Sequence, residues 1–294
     1  MSYIYEALVK AEQERNAREA STAMTSSVEM PTFRPVAENS APANALGAIA
    51  RTGIVTPLPS SDRLRPDGIF AHCRHCDWHP EPNTNVFLNS AAGALGPEQF
   101  RTLRSRLYEI RGNQLTYTLL VTSSLSGEGK TFVTNNLAHA ILQQSYTRTL
   151  LIDADLRNPR LHLALGASLT PGLTDYLSGE ADEITALQKS NEDNLCFIPG
   201  GNQVLNPSEL LSNGRLEVLL DRLTPVFDWV ILDSSPCLPV ADATVLAGLC
   251  DGVLLIVRAG STPGEVAQES RRQLQGKNII GVVLNRAEQS ELYC

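Results

Sequence analysis

The stretch Leu119-Leu120-Val121-Thr122-Ser123-Ser124-Leu125-Ser126-Gly127-Glu128-Gly129-Lys130-Thr131 constrains this chain more than any other. Its three leading apolar residues suit a buried strand, and the run from Phe132 to Gln144 suits a helix. A Ser/Gly-rich turn joins them, which is the strand–loop–helix setting a phosphate-binding loop requires. Gly127 and Gly129 let the backbone curl tightly and bring its N–H groups against phosphate oxygens with no Cβ in the way. Lys130 supplies positive charge to the β- and γ-phosphates, Thr131 a hydroxyl for magnesium, and the helix N-terminus a favourable dipole. The general pattern has a glycine six residues before the lysine, where this chain has Ser124, so the loop is a deviant form. Residues Ser126, Gly127, Glu128, Gly129, Lys130, Thr131 and Phe132 are expected to line a site for a nucleotide and Mg2+.

The loop sits inside a regular alternation. Pro97 opens a helix whose Phe100, Leu103, Leu107 and Ile110 form an apolar face, with Glu98, Arg101 and Arg104 along one polar flank. Strands are predicted at Thr116–Thr122, Thr149–Asp153, Leu195–Ile198, Trp229–Asp233, Gly252–Val257 and Ile279–Leu284. Helices are predicted at Thr131–Gln144, Ser208–Leu223, Ala241–Leu249 and Gly264–Gln275. Nearly continuous Val/Ile/Leu strands separated by helices indicate a mostly parallel sheet covered on both faces. The fold class is therefore α/β, a P-loop NTPase domain over residues 91–294. Two further strands end in acids: Asp153 and Asp155 follow Leu150-Leu151-Ile152, and Asp233 follows Trp229-Val230-Ile231-Leu232. Open α/β sheets bind ligands at these carboxyl ends. There one carboxylate can hold magnesium, directly or through water, and another can accept a proton from an attacking hydroxyl.

The region before this domain reads differently. Residues 1–20 suit a short amphipathic helix, with Ile4, Ala7, Leu8 and Ala11 on one stripe; docking to a partner and simple solvation both fit it. Eight of the chain's 17 prolines lie between Pro31 and Pro82, so residues 21–90 read as a disordered, Pro-rich linker. Within it, Cys73, Cys76 and His79 belong to a run of Cys and His that offers metal ligands, but a second ligand pair is missing. The net charge of −8 and pI near 5.2 argue against nucleic-acid binding. No run approaches the ~20 apolar residues of a membrane span, no signal peptide is evident, and the cysteines are scattered. A cytoplasmic protein is expected.

At this point a resemblance enters. The loop from Ser126 to Thr131, the Asp153-x-Asp155-x-Arg157 motif and the Asp233 strand resemble the bacterial tyrosine kinases of capsule and exopolysaccharide synthesis. Glu98-x-x-Arg101-x-x-Arg104, Pro171-Gly172-Leu173-Thr174-Asp175-Tyr176-Leu177, Ile198-Pro199-Gly200-Gly201 and Asn206-Pro207-Ser208-Glu209-Leu210-Leu211 follow in the family's order, over residues 97–290. The opening Met1-Ser2-Tyr3-Ile4-Tyr5-Glu6-Ala7-Leu8 is similar to variants associated with exopolysaccharide export. The resemblance implies Lys130 on the phosphates, Thr131 and Asp155 on magnesium, Asp233 in its water shell, and Asp153 as the base. It also implies Asn285 against adenine, and Glu98, Arg101 and Arg104 at a homo-oligomeric ring interface. A separate membrane polysaccharide co-polymerase would be the activator, placing the protein at the inner membrane through that partner.

One departure is the carboxyl end. The family usually carries a tyrosine cluster there, and this chain has Tyr293 alone as the expected phosphoacceptor. A partitioning or division-site ATPase is the rival reading, together with a non-catalytic nucleotide-binding scaffold. The ATPases carry a signature lysine five residues before the loop lysine, and Leu125 occupies that position here.

Overall fold

The computed structural model describes residues 68, 72–88, 95–190 and 194–287. The expected helix at 1–20 and the acceptor Tyr293 lie outside them. Eight strands form one sheet: β1 Arg74–His75, β2 Thr118–Ser123, β3 Thr149–Asp153, β4 Gln188–Lys189, β5 Leu195–Ile198, β6 Trp229–Asp233, β7 Gly252–Arg258 and β8 Ile279–Asn285. Nine helices of the described residues accompany them: α1 Leu95–Asn113, α2 Lys130–Leu142, α3 Leu161–Leu165, α4 Leu173–Ser178, α5 Glu183–Ala186, α6 Pro207–Leu211, α7 Arg215–Leu223, α8 Asp242–Leu246 and α9 Gly264–Gln273.

The strand order is β1-β4-β5-β3-β6-β2-β7-β8. From β5 to β8 every pairing is parallel, so the carboxyl ends of β2, β3 and β6 share one edge. Only the short β4 runs antiparallel to its neighbour β5, and β1 follows β4. Strand periodicity of two sends alternate residues to opposite faces. Leu119, Val121, Leu151, Trp229 and Ile231 meet α1, α2 and α3 on one side. On the other, Leu120, Leu150, Ile152, Val230 and Leu232 meet α4, α7 and α8. Each fully buried aliphatic side chain contributes roughly 1.5–3 kcal/mol, so both faces hold the sheet edge rigid beneath the site.

Two expectations need correction. The helix predicted as Ser208–Leu223 is two helices, α6 and α7. Gly214 takes a left-handed φ of 83°, and the Asn213 side chain accepts the Arg215 N–H at 2.9 Å, so turn chemistry interrupts the apolar period. Residues 72–88, expected within the 21–90 linker, instead form a strap packed on the domain. β1 joins β4, the Cys73 side chain is buried against Cys196 of β5, and Trp78 packs edge-on to Phe197 at 6.0 Å. Further along, His79 N–H donates to the Gly166 carbonyl at 3.3 Å and Glu81 N–H to Ala164 at 3.3 Å. Gly166 adopts φ 63°, and a Cβ there would collide with the His79 backbone. The strap ends on α2, where Asn136 accepts the Val86 N–H at 2.7 Å and donates to the Thr84 carbonyl at 2.9 Å. Proline density concealed this because the anchoring residues, Cys73, Trp78, Val86 and Phe87, are few and aperiodic.

The Cys/His run does not converge. Cys73 turns inward to Cys196, a contact that draws its thiol pKa down to about 7, while the Cys76 sulfur accepts a hydrogen bond from Arg74 Nε at 3.1 Å. Among the described residues no three His, Cys, Asp or Glu side chains gather into a metal-binding cluster, and no helix is long and apolar enough to cross a membrane.

Candidate active site

The loop between β2 and α2 follows the backbone logic its glycines suggest. Gly127 has φ 84°, and Gly129 caps α2 with φ 97°, both in the left-handed region. Lys130 and Thr131 therefore begin α2 with their side chains over the carboxyl ends of β3 and β6. Lys130 Nζ lies 2.9 Å from Asp155 Oδ2, and Thr131 Oγ1 donates to Asp233 Oδ2 at 2.5 Å. Thr134, one turn on, donates to Asp233 Oδ1 at 3.4 Å.

Asp153 and Asp233 are cross-strand neighbours in the β3–β6 ladder, and both are fully buried. Asp153 accepts the Leu161 N–H at 2.9 Å and the Asp155 N–H at 3.3 Å, so it fixes the turn that carries Asp155. Asp155 also accepts the Ser235 hydroxyl at 2.8 Å. Lys130, Thr131, Asp153, Asp155 and Asp233 thus meet at one point, from three segments that the fold alone brings together.

The electrostatics follow from burial and crowding. Burial, and then the charge of Asp233, hold Asp153 well above the usual carboxylate range. Burial raises Asp233 to about 6, against the opposing pull of Lys130 and the Thr131 hydroxyl. Burial would depress Lys130, but Asp233 and Asp155 outweigh it and hold the ammonium above its ordinary value.

Several contacts around the site escaped the sequence reading. The buried Glu128 carboxylate accepts the Leu125 N–H at 2.7 Å, the Arg258 N–H at 3.4 Å and the Thr262 hydroxyl. Arg157 forks onto Asp242, with Nε to Oδ2 at 2.6 Å and Nη2 to Oδ1 at 3.2 Å, and reaches Ser208 at 2.9 Å. This ties the Asp155 turn to α6 and α8. Ser208 lies in the Asn206–Leu211 motif, without a role read for it there; nothing local pointed to Asp242 or Thr262.

Other expected residues are placed as follows. Phe132 turns away from the loop onto Phe100 of α1, with ring centroids 6.0 Å apart. Asn285 ends β8 beside the loop and donates its amide to the Glu128 carbonyl at 2.8 Å. On α1, Glu98 is exposed and pairs with Arg101 at 2.7 Å, while the half-buried Arg101 also donates from Nε to Gln143 at 3.1 Å and lies over the Phe87 ring. Arg104 is engaged within the chain, donating to the Ala140 carbonyl of α2 at 2.6 Å, so it is not part of a freely solvated flank.

Comparison with known proteins accords with this geometry. Residues 119–293 match the family described as CobQ/CobB/MinD/ParA nucleotide binding domain. The chain is 34% identical over 203 residues to Tyrosine-protein kinase YwqD of Bacillus subtilis, covering 68% of this chain and 85% of that protein. It is 31% identical over 200 residues to the Succinoglycan biosynthesis transport protein ExoP of Rhizobium meliloti, covering 66% of this chain and 25% of that longer protein. Among solved structures, the kinase domain of Escherichia coli tyrosine kinase ETK superposes with a TM-score of 0.61 at 33% identity, over 65% of this chain and 77% of that one. With the loop, the paired acidic strand ends and these relatives together, the chain belongs to the bacterial tyrosine-protein kinases, within the CobQ/CobB/MinD/ParA nucleotide-binding family.

Proposed function

We propose that this chain transfers the γ-phosphoryl group of ATP to protein tyrosine, including tyrosines of its own copies, and so regulates exopolysaccharide or capsule polymerisation and export. The observation that carries the reading is the convergence of Lys130 and Thr131 with three carboxylates at one sheet edge. The donor set fits a nucleotide and a hard divalent cation: a hydroxyl and carboxylates supply oxygen ligands, and two left-handed glycines free the loop backbone for phosphate. When bound, Mg2+ neutralises charge on the phosphates and leaves their oxygens in place for in-line transfer. Thr131 and Asp155 would hold it, with Asp233 in its water shell.

The remaining roles belong to the chain's own groups. Lys130 places its ammonium on the phosphates, where a preorganised charge is worth most as negative charge moves toward the leaving oxygen. Asp153 takes the tyrosyl proton. Burial holds its pKa above the ordinary carboxylate range, which makes it a stronger base than a free carboxylate. The Leu161 and Asp155 N–H groups aim its carboxylate and stabilise the ionised form. Tyr293 is the acceptor, reached between chains of a ring, with Glu98 and Arg101 at the contact. A membrane polysaccharide co-polymerase is the activating partner, holding an otherwise cytoplasmic kinase at the inner membrane.

Incubation with γ-labelled ATP and Mg2+ tests the reading. Label on protein tyrosine is expected, and Lys130→Met should lower it by at least about 100-fold, the scale of losing one preorganised charge contact. Label appearing only in free phosphate would replace the kinase with an ATPase. Retained phosphotyrosine in the Lys130→Met protein would remove the loop from the chemistry.

A further inference from the structure

We infer that Asn285 is a positioning residue for the phosphate-binding loop, a role that rests on the nucleotide-site reading above and differs from reading the base. Each polar atom of its amide makes one bond to the chain. Nδ2 donates to the Glu128 carbonyl at 2.8 Å, and Oδ1 accepts the Arg286 N–H at 3.0 Å. The same amide lies directly against Gly129, where an added Cβ would run into it.

The consequence follows from peptide geometry. In a trans peptide the C=O and N–H lie in one plane and point in opposite directions. Holding the Glu128 carbonyl on Asn285 therefore aims the Gly129 N–H away from Asn285 and fixes the entry to α2. Gly127 and Gly129 both sit at positive φ, where no Cβ restricts the flanking backbone. A flipped peptide would turn an oxygen, not a donor, toward an anion. Asn285 blocks that flip from below.

A second anchor secures the same residue. The Glu128 carboxylate is buried and accepts the Leu125 N–H at 2.7 Å, the Arg258 N–H at 3.4 Å and the Thr262 hydroxyl. Glu128 is thus held by its carbonyl to the end of β8 and by its side chain to the end of β7. The loop is braced from strands more than a hundred residues downstream. That brace stands in a loop where Ser124 occupies the position of the general pattern's first glycine.

The test separates phosphate from base. Titration calorimetry on the full chain would compare Mg2+–ATP, Mg2+–GTP and Mg2+–tripolyphosphate, which carries no base. Asn285→Ala should weaken tripolyphosphate and ATP alike, by roughly tenfold, the scale of one lost bond to a buried carbonyl. The ATP-to-GTP affinity ratio should stay at the wild-type value. Asn285→Asp, the same size but unable to donate, should lose at least as much. Asn285 ends an edge strand and is only half-buried, so neither change removes core packing. Wild-type tripolyphosphate affinity in both variants, with ATP weakened and the ATP-to-GTP ratio shifted, would make Asn285 a base reader and overturn the inference. Unchanged affinity for all three ligands would overturn it too. A wild-type chain that binds neither ATP nor tripolyphosphate would instead remove the nucleotide-site reading itself.

Discussion

Asn136→Ala tests whether the strap of residues 72–88 is an integral part of the kinase domain. Asn136 is fully buried on α2, one turn after Thr131 and Phe132. Its Nδ2 donates to the Thr84 carbonyl at 2.9 Å and the Phe132 carbonyl at 2.8 Å, and its Oδ1 accepts the Val86 N–H at 2.7 Å. Truncation leaves the Thr84 carbonyl served by Asn135 at 3.2 Å but strips the Val86 N–H of its acceptor. An orphaned, part-buried donor costs about 1–3 kcal/mol, and the void left by the amide adds about 1 kcal/mol. The expected loss is roughly 2–4 kcal/mol, or a fall in Tm of about 5–12 °C for a domain of this size. Asn135→Ala is the control: it removes one longer bond together with an oxygen that has no hydrogen-bond partner, and should cost about 1 kcal/mol. Thermal melts give the energies, and amide hydrogen exchange locates them: in Asn136→Ala the Val86 amide should exchange faster. An Asn136→Ala protein as stable as Asn135→Ala, or a Val86 amide with wild-type protection, would refute the reasoning and return the strap to a loosely attached linker.

Three further predictions concern the site and the assembly. Asp155→Asn should raise the Mg2+ concentration needed for ATP binding, whereas Asp153→Asn should lower phosphotyrosine turnover with little change in that requirement; equal Mg2+ effects would abolish the division of roles. Asp233 titrates near 6 in the folded chain against an ordinary 3.8, so the folded state holds more protons between those values and stability falls as pH rises from about 4 to 6. Asp233→Asn should therefore raise the Tm of chelator-treated protein at pH 7.5 and flatten its profile over that window, and parallel profiles for the two proteins would contradict it. Glu98→Ala with Arg101→Ala should lower the oligomer mass in light scattering at micromolar concentration, since Glu98 is exposed and its partner Arg101 is half-exposed on the α1 flank; an unchanged mass would confine Arg101 to its contacts within the chain, with Gln143 and Phe87.

What the sequence made legible was what depends on neighbours in the chain. Thr149–Asp153, Leu195–Ile198 and Trp229–Asp233 form strands over the predicted residues because each is a mostly apolar run buried on both faces. Once those strands are parallel, Lys130, Asp153, Asp155 and Asp233 must converge, since each follows or ends a strand at the same sheet edge. The short helices α3, α4 and α5 were not predicted, because four to six residues hold fewer than two turns and show no period to read. β1 and β4 are two residues each, and their pairing is fixed by tertiary contact. The same limit hid the supports of the site. Thr262 reaches Glu128 across 134 positions, Asn285 reaches it across 157, and Arg157 meets Asp242 across 85. A phosphate-binding loop announces itself by local spacing because its own backbone does the binding. The side chains that hold that backbone in one conformation have no spacing to obey, only a position in the folded sheet, and it is at β7 and β8 that this chain places them.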